Sequence, residues 1–278
     1  MEQSVVDKII LAALAEDVGH GDVTTESCVP VDARAEGVFT MKEAGVICGL
    51  EVAQRVFELV DGRVTFRALV RDGEGAAVGE VIAEVGGNAR SLLKAERVAL
   101  NLLQRMSGIA SRTRRSVRAV AGYKTKIADT RKTTPGLRVL EKYAVRIGGG
   151  TNHRFNLADG VLIKDNHIVA AGGIANAVAA ARGAMPHTLK IEVEVSNLGE
   201  VQQALDAGAD IIMLDNMTIA QTREAVTLIN GAALTEASGN MGGKDLAEVA
   251  ATGVDIISIG ALTYGAGALD ISLKFGIR

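Results

Sequence analysis

The chain has 278 residues, of which 48% are hydrophobic and 3% aromatic, and its formal net charge is −3. This length supports a full hydrophobic core and favours two domains over one. The acidic balance and the absence of tryptophan argue against a nucleic-acid-binding protein, which needs basic surface and stacking side chains. No apolar run approaches the ~20 residues of a membrane span, and no signal-peptide pattern opens the sequence. We therefore expect a cytoplasmic protein with no membrane partner.

The cysteines and histidines do not indicate a metal or redox centre. Cys28 and Cys48 have no redox or ligand spacing, and the four histidines are too scattered in sequence for a zinc site. We interpret both cysteines as buried or loop thiols.

Residues 1–110 predict a small α+β domain. A helix at 5–16 is followed by a turn and by several short apolar runs that glycines interrupt. An amphipathic helix begins at Ala89 and carries Arg97 on its polar face, and we expect Gly108 to end or kink it.

Residues 111–278 alternate between strand and helix patterns, which predicts a parallel sheet covered by helices. The predicted strands are 125–128, 161–163, 191–195, 211–214, 234–237 and 256–259. Clear helical patterns occupy 198–207, 219–229 and 244–251. Six strands are fewer than the eight of a full barrel, so we expect an open or incomplete α/β barrel. The last residues, from about 265, could pack back on the N-terminal domain.

Polar or small residues follow four of these strands at regular spacing. Glu194, Asp215, Ser238 and Gly260 are separated by 21, 23 and 22 residues, about the length of one βα unit. This spacing predicts one functional residue from each strand at the carboxyl rim. Two acids on neighbouring strands suit Mg²⁺ that is also bound by water and substrate phosphates. The small residues let backbone N–H groups approach a phosphate.

A cationic segment precedes this rim. Residues 131–164 contain seven Lys or Arg residues and two acids, so this segment has a formal charge of +5. Because the whole chain has a net charge of −3, the other residues together carry −8. Clustered positive charge in an acidic protein predicts a site for a small anion. The cations are Arg131, Lys132, Arg138, Lys142, Arg146, Arg154 and Lys164.

Seven segments are specific enough to compare with a known family. They read EDVGHGDVTT (16–25), DTRKTTPGLR (129–138), EKYAVR (141–146), GGGTNHR (148–154), LIKDNH (162–167), GALT (260–263) and ALDISL (268–273). Together they resemble quinolinate phosphoribosyltransferase, also called nicotinate-nucleotide pyrophosphorylase (carboxylating). The resemblance spans nearly the whole chain. It departs at Thr151, where His is common, and at Asn240, where Gly is common.

The resemblance implies a fold, a reaction and an assembly. The fold is an N-terminal α/β domain with an open C-terminal α/β barrel. The reaction converts quinolinate and phosphoribosyl pyrophosphate to nicotinate mononucleotide, pyrophosphate and CO₂ with Mg²⁺, a step of NAD biosynthesis. The assembly is a homodimer, or a hexamer that is a trimer of dimers, with active sites shared between subunits.

The resemblance also implies roles for individual residues. Arg131, His153 and Arg154 would bind the quinolinate carboxylates, together with Arg97 of the partner subunit. Lys132 and Lys164 would lie between the substrates, and Thr130 would be a further substrate contact. Glu194 and Asp215 would face the ribose hydroxyls and the metal, completing a catalytic set with the two lysines. The residues implied for phosphate are Ser238, Gly239, Asn240 and Gly260.

The chemistry explains why these residue types suit that reaction. Arg side chains bind carboxylates bidentately, whereas Lys is a point charge on phosphate oxygens. The ring nitrogen attacks the anomeric carbon as pyrophosphate leaves, and the quaternised ring then supports loss of CO₂. A proton donor for the ring carbon remains necessary, and Lys132 or a water is the candidate.

Three other functions remain open. Lys164 could be the nucleophile of a Schiff-base barrel aldolase, although the neighbouring acids would favour its charged ammonium. A molybdenum-uptake relative with the same fold could use a different acceptor base. A non-catalytic anion-binding paralogue would be expected to lack a charged member of the set, and none is missing.

Overall fold

The computed structural model describes residues 1–277. Its helices are α1 (Gln3–Val18), α2 (Val23–Cys28), α3 (Leu50–Val60), α4 (Ala89–Ala119), α5 (Arg138–Ile147), α6 (Asp165–Ala171), α7 (Ile174–Ala184), α8 (Leu198–Asp206), α9 (Ile219–Ile229) and α10 (Leu246–Ala250). Its strands are β1 (Arg34–Met41), β2 (Gly45–Val46), β3 (Thr65–Ala68), β4 (Gly75–Ala76), β5 (Val81–Asn88), β6 (Lys126–Ala128), β7 (Val161–Ile163), β8 (Ile191–Val195), β9 (Ile211–Asp215), β10 (Leu234–Ser238), β11 (Ile256–Ser258) and β12 (Ile271–Ile277). No helix within the described range is both long and apolar enough to cross a membrane.

The chain divides into two compact units. The first contains Met1–Arg114, Thr134–Gly149 and the residues from Gly265 onward, and the second contains Arg115–Thr133 and Gly150–Tyr264. The first unit is built on an antiparallel sheet in the order β12-β1-β5-β3. Three phenylalanines from this sheet and α3 pack together with ring centroids 5.7 to 6.1 Å apart, namely Phe39, Phe57 and Phe66.

Of the predicted end or kink at Gly108, the end is wrong, because α4 runs on to Ala119. A Cβ at position 108 would lie 1.9 Å from the backbone oxygen of Gly267. The glycine therefore serves a close backbone approach within the first unit. Ile109, Ala110 and Thr113 continue the buried face of the helix, and this burial offsets the roughly 1 kcal/mol that glycine costs in a helix interior.

The segment Thr134–Gly149 belongs to the first unit, whereas a division at residue 110 places it with the barrel. Arg105 on α4 donates from Nε and Nη2 to Glu141 Oε1 on α5, at 3.1 and 2.8 Å. Glu141 is fully buried, and its other oxygen accepts from the Thr134 backbone N–H at 3.1 Å. This buried ion pair joins α5 to α4, a contact that sequence distance conceals.

All six strands predicted for the second unit are confirmed, and the fold class is that expected: an open α/β barrel. They form one parallel sheet in the order β6-β11-β10-β9-β8-β7. Each strand from β7 to β10 pairs with the next barrel strand along the chain, and β11 also pairs with β6. Within the described residues, β6 and β7 are the two edge strands and do not pair with each other, so the ring is open between them. The chain between those two strands contains α5, so the ring opens where the chain leaves the unit.

Strand alternation sorts the side chains of the barrel onto two faces. Val193 and Val195 of β8 pack with Ile212 and Leu214 of β9 and with helices α7 to α9. Successive side chains of a strand point to opposite faces, so the residues between these apolar ones face the barrel interior. Charged residues of the strands therefore converge on the interior.

Candidate active site

A cavity of about 560 Å³ lies within the barrel unit at the carboxyl ends of its strands. Twelve of the residues expected to bind substrate line it: Thr130, Arg131, Lys132, His153, Arg154, Lys164, Glu194, Asp215, Ser238, Gly239, Asn240 and Gly260. Arg97 is not among the lining residues, and it is exposed on α4 of the first unit. The cavity thus gathers residues that are up to 130 positions apart in sequence.

The two rim acids come from adjacent strands. Glu194 of β8 lies opposite Met213 of β9 in the sheet register, so Asp215 stands two residues further towards the rim. Lys164, just after β7, forms an ion pair with Glu194. Asp215 Oδ2 accepts a hydrogen bond from the Asn216 side-chain amide at 2.7 Å. An ion-paired ammonium is not a nucleophile, so this geometry does not favour a Schiff-base aldolase.

A tight turn forms the part of the cavity expected to receive phosphate. Gly239 has φ +92°, and a Cβ there would lie 2.3 Å from Asn216 Oδ1, so only glycine fits. Asn240 and Asn216 also have positive φ, at 53° and 55°. Asparagine tolerates this conformation better than other non-glycine residues, which explains why Asn240 can stand where glycine is common.

The cations of the cavity are crowded. Burial, followed by the positive charge of Arg131, lowers the pKa of Arg154. One Arg154 Nη1 hydrogen bond goes to the Gly160 carbonyl at 3.0 Å. Lys132 is held by its backbone, whose carbonyl accepts from Thr263 Oγ1 at 2.8 Å. A bound anion would relieve the repulsion between these cations.

Asp129 anchors the loop that carries His153 and Arg154, a role that the sequence analysis did not assign. Asp129 is fully buried at the end of β6. Its carboxylate accepts from the His153 backbone N–H at 2.8 Å and from the Asn152 side-chain amide at 2.6 Å. The signal in the sequence was an acid directly after a strand and before two cations.

Sequence analysis also missed a buried acid pair beside the cavity, of which Glu236 lines the cavity wall. His153 Nε2 lies 3.1 Å from Glu192 Oε2 and 3.8 Å from Glu236 Oε1. Glu192 and Glu236 are only 4% and 2% exposed. Burial, and then the negative charge of Glu192, raise the pKa of Glu236 to about 7. The available signal was that Glu192 alternates with valines and that Glu236 stands two residues before Ser238.

The barrel, its cationic cavity and its rim acids define an open-barrel enzyme whose cavity suits polyanionic substrates. Residues 22–107 match the N-terminal domain and residues 109–274 the C-terminal domain of the family described as quinolinate phosphoribosyl transferase. The chain belongs to the quinolinate phosphoribosyltransferase family.

Similar proteins agree with this assignment along the whole chain. A protein of Synechocystis named probable nicotinate-nucleotide pyrophosphorylase (carboxylating) is 47% identical over 97% of this chain and 92% of its own length. A Bacillus subtilis protein of the same name is 44% identical over 98% of this chain and 94% of its own length. The solved structure of nicotinate-nucleotide pyrophosphorylase from Francisella tularensis is 40% identical, with a TM-score of 0.95, covering 99% of this chain and 98% of that one.

Proposed function

We propose that this protein transfers phosphoribosyl from phosphoribosyl pyrophosphate to quinolinate with decarboxylation, forming nicotinate mononucleotide, pyrophosphate and CO₂ in the cytoplasm. The observation that carries the proposal is the convergence of separate cationic, acidic and glycine-rich segments on one cavity. The names of the relatives and the family match support the same reaction.

Quinolinate carries two carboxylates that match the crowded cations. Arg131 and Arg154 would bind them through planar guanidinium forks, and His153 would lie beside them. Burial and the nearby positive charge of Arg131 already lower the pKa of Arg154, so its charged form is destabilised in the empty cavity. A bound dianion would stabilise that charged form. The Asp129 anchor keeps this loop in place before substrate arrives.

Phosphoribosyl pyrophosphate would occupy the rim. Ser238, Gly239, Asn240 and Gly260 would offer small side chains and backbone N–H groups to its phosphate, while Lys132 would contact the pyrophosphate. Lys164, paired with Glu194, would lie between the two substrates. The resulting electrostatic stabilisation of the leaving pyrophosphate is the main contribution that these residues make.

The acids Glu194 and Asp215 fit Mg²⁺, because both are hard oxygen donors on adjacent strands. They would hold the ion and orient the ribose hydroxyls. When bound, Mg²⁺ would neutralise negative charge on the pyrophosphate oxygens.

The test is a product assay with purified protein, quinolinate, phosphoribosyl pyrophosphate and Mg²⁺. Equal amounts of nicotinate mononucleotide, pyrophosphate and CO₂ are expected. Arg154→Ala should lose activity, whereas Arg182→Ala, which removes a surface charge on α7 outside the cavity lining, should retain it. If the protein forms mononucleotide from nicotinate but not from quinolinate, the proposed substrate is wrong.

We further propose a homodimer, or a hexamer built from such dimers, in which Arg97 enters the partner subunit's cavity. Arg97 and the 36% exposed Leu93 are four residues apart on α4 and share one helix face. The helix α6 buries none of its residues within the chain, and its Val169 is 80% exposed. Such surfaces suit a subunit interface.

Complementation tests the shared site. Arg97→Ala and Lys164→Ala should each be inactive, and a mixed dimer would contain one site with both lesions and one with neither. After random subunit exchange about a quarter of all sites should be intact, and activity should recover to that level. Verified exchange without recovery would refute sharing through Arg97.

A further inference from the structure

The proposed reaction does not use the buried acid pair of Glu192 and Glu236. Glu192 of β8 and Glu236 of β10 both approach His153 Nε2, at 3.1 and 3.8 Å, and one oxygen of each is buried without a hydrogen-bond partner among residues 1–277. Buried polar atoms in native proteins are almost always paired. We therefore infer that one of these carboxyl groups carries a proton.

The state of His153 follows from its hydrogen bonds. Its Nδ1 accepts from the Arg154 backbone N–H at 2.8 Å, so its own proton is on Nε2 and is directed to Glu192 Oε2 at 3.1 Å. A neutral imidazole cannot balance two buried carboxylates. One acid of the pair must hold a proton, because two like charges this close in a buried site are strongly unfavourable.

Glu236 is the acid that holds it. It is the member of the pair that lines the cavity, and burial and the Glu192 charge raise its pKa to about 7. The titratable groups that act on it are Glu192, His153 and Lys164, and the positive charge of Lys164 opposes the shift without cancelling it. Up to about pH 7 Glu236 thus supplies a carboxylic acid next to the substrate.

We propose, on the basis of the function proposed above, that the neutral carboxylic acid of Glu236 protonates the ring carbon from which CO₂ departs. The bond between that carbon and its carboxylate breaks, CO₂ leaves, and the electron pair remains on the carbon. The proton of Glu236 then forms the new C–H bond, and Glu236 becomes a carboxylate that regains a proton from water after product release. Lys132 would then contact the pyrophosphate and would not be the proton donor.

Charge balance favours this donor. The substrate loses one negative charge as neutral CO₂, and Glu236 gains one as it gives up its proton. The cations around the cavity therefore face the same total negative charge before and after decarboxylation. An ammonium donor such as Lys132 would instead remove a positive charge from the pyrophosphate region.

Glu236→Gln tests the assignment, because glutamine keeps the size and hydrogen-bonding capacity but has no acidic proton. Pyrophosphate release in the first turnover should stay within a few-fold of the unaltered enzyme. Release of CO₂ should fall about 100-fold or more, and a nucleotide that retains both carboxylates should be detected by mass. Glu236→Asp should recover part of the CO₂ release. Thermal unfolding and quinolinate calorimetry check that both variants fold and bind.

The pH profile separates this role from a structural one. In the unaltered enzyme CO₂ release should fall as pH rises above about 7, since the acid form is required. Glu192→Gln removes the neighbouring charge and should move this fall to lower pH, whereas Glu236→Gln should lack it.

Three results would overturn the assignment. The first is unchanged CO₂ release in Glu236→Gln. The second is an equal loss of pyrophosphate and CO₂ in a folded, quinolinate-binding Glu236→Gln protein. The third is a stoichiometric metal ion bound by His153, Glu192 and Glu236, whose ligand atoms lie within 4.8 Å of one another. Pyrophosphate formation by the unaltered protein tests the proposed function separately.

Discussion

Replacing Glu236 with glutamine should remove one component of the pH dependence of stability. Burial and the Glu192 charge raise the pKa of Glu236 from 4.5 to about 7. Between these values the folded protein holds a proton that the unfolded chain releases, so the free energy of unfolding falls as pH rises. The full effect is about 3 kcal/mol, since each pKa unit corresponds to 1.36 kcal/mol.

About 2 to 3 kcal/mol of this effect lies between pH 5 and pH 8 for a single group with these two pKa values. Urea unfolding of the unaltered protein and of Glu236→Gln at both pH values measures it, and the difference between the proteins cancels the titrating groups that do not interact with Glu236. The glutamine variant should gain about 2 to 3 kcal/mol of stability relative to the unaltered protein on going from pH 5 to pH 8. If both proteins show the same pH dependence, Glu236 is not the buried acid that holds the proton.

Two further predictions concern the site and the packing. Glu194→Gln combined with Asp215→Asn should abolish pyrophosphate release but leave quinolinate affinity within a few-fold of that of the unaltered protein. Arg154→Ala should instead weaken quinolinate binding by about 2 kcal/mol or more. If calorimetry finds that both variants lose quinolinate affinity equally, this division of the cavity is wrong. Gly108→Ala should destabilise the protein by at least about 3 kcal/mol, because its Cβ would meet backbone at 1.9 Å. The matched control Gly183→Ala, with open space around position 183 in α7, should be neutral or stabilising by up to about 1 kcal/mol, and similar results for both glycines would contradict the packing argument.

The barrel strands could be predicted because each is a short apolar run between polar segments. Predicted and observed ends agree within one residue, and β7 and β8 agree at both ends. The rim residues Glu194 and Asp215 could be found because parallel strands bring their carboxyl ends to one edge, whatever the neighbour order.

The acid pair could not be found in this way. Glu192 and Glu236 come from β8 and β10, which are separated in the sheet by β9. Only the curvature of the barrel brings both carboxylates to the imidazole of His153. The continuation of α4 past Gly108 was not predicted for a related reason, since a glycine that admits a distant backbone looks the same in sequence as one that ends a helix.

The pairing of β12 with β1 has a consequence for the nascent protein. Met41 lies opposite Ile271, so 230 residues separate the two partners, and every barrel strand is synthesised between them. At 5 to 20 residues per second the ribosome needs roughly 10 to 50 seconds to reach β12. During that time one edge of β1 lacks its strand partner, and unpaired edges are sites of intermolecular association. The growing chain is therefore most vulnerable to aggregation before its last residues emerge, and a chaperone that shields β1 in this interval would raise the yield of folded protein.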